Sequence, residues 1–278
     1  LKFQPAPTIC RGRTFTWGER TFVMGIVNLS PDSFSGDGLS VIDAAVDQAL
    51  RFVSDGADMI DIGAESTRPG SEPIAIEEEI SRLIPAIDKI RLAIDVPISV
   101  DSYKYDVVTL AIAAGIDIIN DIWGLKFDSR LAGLAAAHHL PIVVTSNQRD
   151  NPCVGDIMDE IKRDLSRAVA LCNDAGVAEG NIVVDPGIGF GKTLAQNLEI
   201  IRRLAELESL GKPILLGTSR KGMIGAILGT PVDDRLEGSA ATNAIGIAHG
   251  ADIIRVHDVK FLSGVARMSD AVARRGKL

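Results

Sequence analysis

The chain has 278 residues, a length that suits one large α/β domain, and its 46% hydrophobic but only 4% aromatic content predicts an aliphatic core. A formal net charge of −8 argues against nucleic-acid or anionic-membrane partners and confines any anion binding to local clusters. Three cysteines, Cys10, Cys153 and Cys172, show neither ligand spacing nor a disulfide framework. With no membrane-spanning apolar run and no signal-peptide core, they predict a cytoplasmic protein.

In chain order, residues 8–20 alternate small polar and apolar side chains around Gly12 and Gly18 and read as a β-hairpin. From Phe22 onward one unit recurs: a short Val/Ile-rich strand, a polar loop, then an Ala/Leu-rich helix. The strands are predicted at 22–28, 58–63, 98–101, 116–121, 142–145, 182–185, 214–218 and 253–257. The helices follow at 41–54, 76–93, 105–114, 129–138, 157–175, 194–210, 234–249 and 259–274. Regular alternation with short connections requires parallel strands, and eight units close into a (β/α)8 TIM barrel, one domain over residues 1–278 preceded by its hairpin. Gly56, Gly115 and Gly250 precede the second, fourth and eighth strands and mark helix C-caps.

A TIM barrel builds its site from the C-terminal ends of its strands, and here those ends are polar throughout. They carry Asn28; Asp61 and Glu65; Asp101; Asn120 and Asp121; Ser146 and Asn147; Asp185; Ser219, Arg220 and Lys221; and Arg255, His257 and Asp258. For any single residue, capping or a hydrogen bond within a barrel layer is the simpler account, but polar ends on every strand favour a site. The run 181–192 is the sharpest case. Its β-branched segment ends at Asp185, Pro186 stops the ladder, and Gly187, Gly189 and Gly191 permit positive φ beside Phe190 and Lys192. Pro186 excludes a Walker loop, and Lys192 stands where a dinucleotide fingerprint needs its last glycine.

The strand ends divide into two chemical populations. Asp101, Asn120 and Asp185 are acceptors suited to a flat heterocycle with adjacent N–H donors, such as an aminopyrimidinone edge. Arg68, Lys221, Arg255 and His257 are cations suited to a phosphate or diphosphate. No Cys or His spacing fits zinc, whereas Asn28 with Asp37 nearby offers oxygen to a hydrated Mg²⁺. Ser219 and Cys153 have no histidine partner in sight, which disfavours covalent catalysis, and His138 and His139 read as surface residues at a helix end.

Met24 to Ser35, Asp61 to Gly70, Val100-Asp101, Asn120-Asp121, Asp185 to Lys192, Ser219-Arg220-Lys221 and Arg255 to Asp258 resemble, in order, the motifs of dihydropteroate synthases. The resemblance implies condensation of 6-hydroxymethyl-7,8-dihydropterin diphosphate with p-aminobenzoate, releasing diphosphate, in folate synthesis. It implies that Asp101, Asn120, Asp185 and Lys221 hold the pterin, and that Asn28, Arg68, Arg255 and His257 hold the diphosphate, with Mg²⁺ at Asn28. Thr67, Arg68, Pro69, Phe190 and Lys221 would shape the aminobenzoate pocket, joined by the Gly222 backbone N–H. Catalysis would fall to Asp37, Asp101 and Lys221, with Asp37 stabilising the cationic pterin methylene. A homodimer is a further expectation of the resemblance.

Three positions depart from the family pattern. Thr145-Ser146 stands where Met-His is common, Gly222 where Ser is frequent, and Gly36 displaces Asp37 by one residue. Two other readings stay open: a barrel presenting methyltetrahydrofolate to a corrinoid protein, and a diverged paralogue that binds a pterin without making dihydropteroate.

Overall fold

The computed structural model describes residues 4–29, 38–65 and 72–274. The hairpin is β1 (Thr8–Cys10) with β2 (Arg13–Phe15), paired antiparallel. The large sheet contains β3 (Phe22–Asn28), β4 (Met59–Gly63), β5 (Ile98–Asp101), β6 (Ile118–Asp121), β7 (Ile142–Thr145), β8 (Ile182–Asp185), β9 (Leu215–Leu216) and β10 (Ile253–Val256). These eight strands run parallel in the order β8-β7-β6-β5-β4-β3-β10-β9, and a bridge between Val184 and Ile214 joins the two ends into a barrel. Around it lie α1 (Gly38–Ser54), α2 (Ile76–Ala93), α3 (Tyr105–Ala113), α4 (Arg130–Ala137), α5 (Ile157–Asp174), α6 (Leu194–Arg202), α7 (Gly222–Leu228), α8 (Leu236–Ala248) and α9 (Val259–Ala273). No described helix is long and apolar enough to cross a membrane.

Strand side chains alternate between the two faces, and that parity separates two cores. Val23, Val27, Ile60, Ile62, Val100, Ile119, Val144, Val184 and Ile254 face outward and pack with the helices. At Gly25 the approach is so close that an added Cβ would stand 2.7 Å from the Phe52 ring of α1. Met24, Met59, Ile118, Val143, Val183, Leu215 and Ile253 face inward, where they meet the hairpin aromatics Phe15 and Trp17. Following the inward parity along each strand leads from this apolar floor to Asn28, Asp61, Asp101, Asn120, Asp185 and Arg255 at the other end.

The predicted hairpin therefore acts as the barrel's plug. Trp17 and Phe15 stack at 5.9 Å, Trp17 meets Phe22 edge-on at 5.4 Å, and Trp17 Nε1 donates to Thr8 Oγ1 at 3.1 Å. Arg11, at φ 48, and Gly12, at φ 68, are both left-handed and make the two-residue hairpin turn.

Three elements differ from the sequence prediction. The strand predicted at 214–218 is reduced to Leu215–Leu216 with the Ile214 bridge before it, and it stops short because Thr218 begins a turn in which its carbonyl accepts from Lys221 N at 3.2 Å. The helix predicted through 210 is α-helical to Arg202 and then tightens to a 3₁₀ turn over Leu204–Leu210, whose i, i+3 spacing buries Leu204 and Leu207 together. Helix α7 was not predicted; it is a short helix at the mouth, closed by Gly229 at φ 69.

The plug generates a stability prediction. Trp17 is 2% exposed at the end of the barrel opposite the polar strand ends, so Trp17→Ala leaves a cavity and removes one of the two bonds of the Thr8 hydroxyl, which still donates to the Gly180 carbonyl. Denaturant titration should show a loss of about 3–5 kcal/mol, while ligand affinity at a permissive temperature stays within about twofold.

Candidate active site

The strand ends open into one cavity of about 650 Å³. It brings together Asn28, Asp101, Asn120, Asp185, Phe190, Lys221, Gly222, Arg255 and His257, which is every sequence-predicted site residue within the described regions. Asp37, Thr67, Arg68 and Pro69 lie outside the described residues.

At its floor, Arg255 binds two carboxylates at once. Its Nε donates to Asp61 Oδ2 and its Nη2 to Asp101 Oδ2, both at 2.6 Å, and Asn120 Nδ2 adds a third donor to Asp61 Oδ2 at 3.1 Å. Burial works against the Arg255 charge, but the two carboxylates more than restore it, so its pKa is raised. Burial pushes Asp101 above the usual carboxylate range against the opposing field of Arg255. With its amide nitrogen committed to Asp61, Asn120 turns its oxygen to the cavity as an acceptor.

Asp185 closes the same ring of acceptors. Its Oδ1 accepts from Gly187 N at 2.7 Å, and burial raises its pKa against the field of nearby Lys221 and Lys192. Gly187 must be glycine: it sits at φ 72, and a Cβ there would collide with the Ser146 carbonyl. Lys192 does not serve as a free cation. Its Nζ donates to the carbonyls of Ser146 at 2.7 Å and Phe190 at 3.3 Å, and burial pushes its pKa down to about 7. Lys192 thus pins the glycine-rich turn to the β7 loop and sets the Phe190 ring in the cavity wall.

The other cations gather at one side. Lys221 Nζ stands 4.6 Å over the Phe190 ring, with Arg149 also over that ring at 4.8 Å. Burial and neighbouring Arg255 push Lys221 down to about 8. His257 is pushed down to about 3, first by burial and then by Arg255 and Arg220, so its imidazole is neutral at physiological pH. Lys221 precedes α7 after an elbow in which Arg220 adopts φ 56.

Neither Thr145 nor Ser146 is part of the cavity wall. Thr145, in register with Asp185, has inward parity but is 1% exposed. Ser146 faces the helices, donating to Asp164 of α5 at 3.0 Å and accepting from Gln148 Nε2 at 2.7 Å. The loss of an imidazole at position 146 is therefore absorbed in the wall between β7 and α5. Gly222, by contrast, lines the cavity at the start of α7.

The family profile of pterin-binding enzymes matches residues 24–257, beginning in β3 and ending at His257. Dihydropteroate synthase of Clostridium beijerinckii is 49% identical over 265 residues, covering 95% of this chain and 98% of its own length. The chain belongs to the dihydropteroate synthase family. Among solved structures, the Clostridium difficile synthase, determined in the presence of pteroic acid, is 45% identical and superposes with a TM-score of 0.90, covering 93% of this chain and 99% of its own. The Xanthomonas albilineans synthase with 4-aminobenzoic acid is 38% identical at a TM-score of 0.91, covering 97% and 98%.

Sequence reasoning missed the partners that hold this synthase family site together. Lys104, 7% exposed, donates from Nζ to Glu65 Oε2 at 2.7 Å, Glu79 Oε2 at 2.6 Å and the Ile74 carbonyl at 2.7 Å. Tyr103 OH adds a bond to Glu65 Oε1 at 3.0 Å. This buried clamp fixes both flanks of segment 66–71, where Thr67, Arg68 and Pro69 fall. Its sequence signal was slight: a lysine three residues after the strand-end Asp101, and an acidic helix start that reads as ordinary dipole compensation. Lys104→Met should cost about 3–5 kcal/mol in denaturant unfolding, because two carboxylates are left buried without their cation. Adding Glu79→Gln should return part of that loss.

Proposed function

We propose that the chain condenses 6-hydroxymethyl-7,8-dihydropterin diphosphate with p-aminobenzoate in this cavity, giving 7,8-dihydropteroate and diphosphate for folate biosynthesis. The observation that carries the reading is that one cavity presents the acceptors Asp101, Asn120 and Asp185 together with the cations Lys221 and Arg255 and the neutral imidazole of His257. The acceptors suit the N–H edge of the pterin, with Lys221 beside it. Arg255, His257, Asn28 and Arg68 suit the diphosphate. Phe190, Lys221 and Gly222, with Thr67, Arg68 and Pro69, suit p-aminobenzoate. Corrinoid methyl transfer involves no diphosphate to neutralise, so the cations favour the synthase.

Arg255 reaches an anion without leaving its carboxylates. Nε and Nη2 are engaged with Asp61 and Asp101, and no described residue bonds Nη1, whose two N–H groups remain for phosphate oxygens. When the pterin methylene C–O bond breaks, its electron pair leaves on the diphosphate, which the Arg255 and His257 donors stabilise. The carbon left behind carries positive charge delocalised into the ring, stabilised by Asp101 and by Asp37. The arylamine nitrogen then forms the new C–N bond and releases a proton. No activated nucleophile is required, since an arylamine is unprotonated at neutral pH.

Among the described residues no cluster of three His, Cys, Asp or Glu forms a metal cage. An amide oxygen at Asn28, on the cavity shared with Arg255 and His257, fits a largely hydrated Mg²⁺ held jointly with the diphosphate. When bound, that ion supplies charge neutralisation for the leaving group. A second copy of the chain is the partner that the outer surface suits: Phe261, Met268 and Val272, 48%, 65% and 76% exposed, follow helical spacing along α9, and Ile245 of the neighbouring α8 is 47% exposed. A cytoplasmic setting accords with the free thiols Cys10, Cys153 and Cys172.

Asp185→Asn replaces an acceptor by a group that presents N–H to the pterin's own donors. Calorimetry should show pterin affinity weakened by at least about 2–3 kcal/mol in a protein that remains folded, and unchanged affinity would remove Asp185 from the ring site. Arg255→Ala should weaken pterin diphosphate at least about tenfold more than unphosphorylated hydroxymethylpterin, in line with a lost charge-assisted bond. Equal losses for the two ligands would place the diphosphate elsewhere.

A further inference from the structure

The segments carrying Lys221 and His257 leave the neighbouring strands β9 and β10, and two contacts tie them together. In the first, Arg220 donates through Nε to Asp258 Oδ2 at 3.0 Å and through Nη2 to Asp258 Oδ1 at 2.6 Å. The same residue is an elbow at φ 56, a conformation most side chains avoid, and its backbone is held on both sides. Arg220 N donates to Ser239 Oγ at 3.0 Å, and its carbonyl accepts from Arg235 Nη1 at 3.0 Å. In the second contact, Ser219 Oγ stands 3.2 Å from the backbone N of His257 and 3.1 Å from its Nδ1. Ser219 is 4% exposed, so water does not compete freely for this hydroxyl.

A serine hydroxyl has one proton and two lone pairs. It accepts from the His257 backbone N–H, which leaves its own proton free for a lone pair on Nδ1. Nε2 is then the ring nitrogen left for the cavity that His257 lines. We propose that Ser219 is a positioning residue that holds His257 in the Nε2–H tautomer, so that the imidazole donates a hydrogen bond to a diphosphate oxygen, with the Arg220–Asp258 pair keeping the hydroxyl in place. The proposal rests on the assignment of His257 to the diphosphate made above. Burial keeps this imidazole uncharged, so its tautomer decides what it offers. The opposite tautomer would turn a lone pair toward a polyanion.

The test is long-range ¹⁵N–¹H spectroscopy of the full chain labelled at its four histidines, with the His257 signals identified by their loss in His257→Gln. In the wild type the spectrum should show protonated Nε2 and unprotonated Nδ1. Ser219→Ala should give a mixture of tautomers and bind inorganic diphosphate with Mg²⁺ about tenfold more weakly, with hydroxymethylpterin affinity unchanged. Ser219→Thr, which keeps the hydroxyl, should restore both properties. Asp258→Asn, which loosens the elbow but leaves Ser219 in place, should produce a smaller change in the same direction. Protonated Nδ1 in the wild type would overturn the proposal without any variant having to fold. So would a folded Ser219→Ala with the wild-type tautomer and wild-type diphosphate affinity. If His257→Gln binds diphosphate as well as the wild type while the tautomer is as expected, the anion assignment fails instead.

Discussion

The buried ion pair of Arg255 with Asp61 and Asp101 is the constraint on which the rest of the mouth depends. Asp61 is fully buried and Asp101 8% exposed, so neither carboxylate is stable there without a cation. Arg255 supplies it from β10 across the barrel to β4 and β5, and Asn120 of β6 joins through Asp61. Four strands thereby fix one another's polar ends. A pair this deeply buried is weak evidence for stability, because desolvation offsets most of the attraction, but removing one partner would leave an uncompensated charge. Its value lies in geometry: it engages the Asn120 amide nitrogen and sets the plane of the Arg255 guanidinium.

This arrangement would let an acidic protein hold the diphosphate proposed for the site. A net charge of −8 is spread over the whole chain, whereas Arg255 and Lys221, with the neutral His257, meet at one cavity that Asp101 and Asp185 also line. The enclosed site strengthens their fields at short range. The same burial lowers the Lys221 pKa, so an anion held beside it would restore a charge that burial disfavours. The departure at Ser146 falls outside the cavity wall, because position 146 points into the helix layer, where Asp164 and Gln148 satisfy the serine.

Much of this was legible in the residues because parity and strand ends are local properties. The runs ending in Asp101, Asn120, Asp185 and Arg255 announced both their strand and their place at its C-terminal end, and the barrel followed from counting units. What escaped was set by tertiary partners. Nothing near Arg255 in sequence indicates that it pairs with Asp61 and Asp101, which precede it by 194 and 154 positions. Lys192 lies in the glycine-rich run at the mouth, yet two carbonyls from separate loops claim it. Helix α7 was hidden because Gly222 and Gly225 dilute its periodicity; the Arg235 guanidinium packs closely against Gly225.

The central claim is that this cavity joins a pterin to an arylamine rather than merely holding a pterin. Purified enzyme given 6-hydroxymethyl-7,8-dihydropterin diphosphate, labelled p-aminobenzoate and Mg²⁺ tests it directly, with labelled dihydropteroate and released diphosphate measured together. The account predicts many turnovers per chain, with one diphosphate released for each dihydropteroate formed. Saturable pterin binding without labelled product would contradict it and leave a pterin-binding protein of another activity.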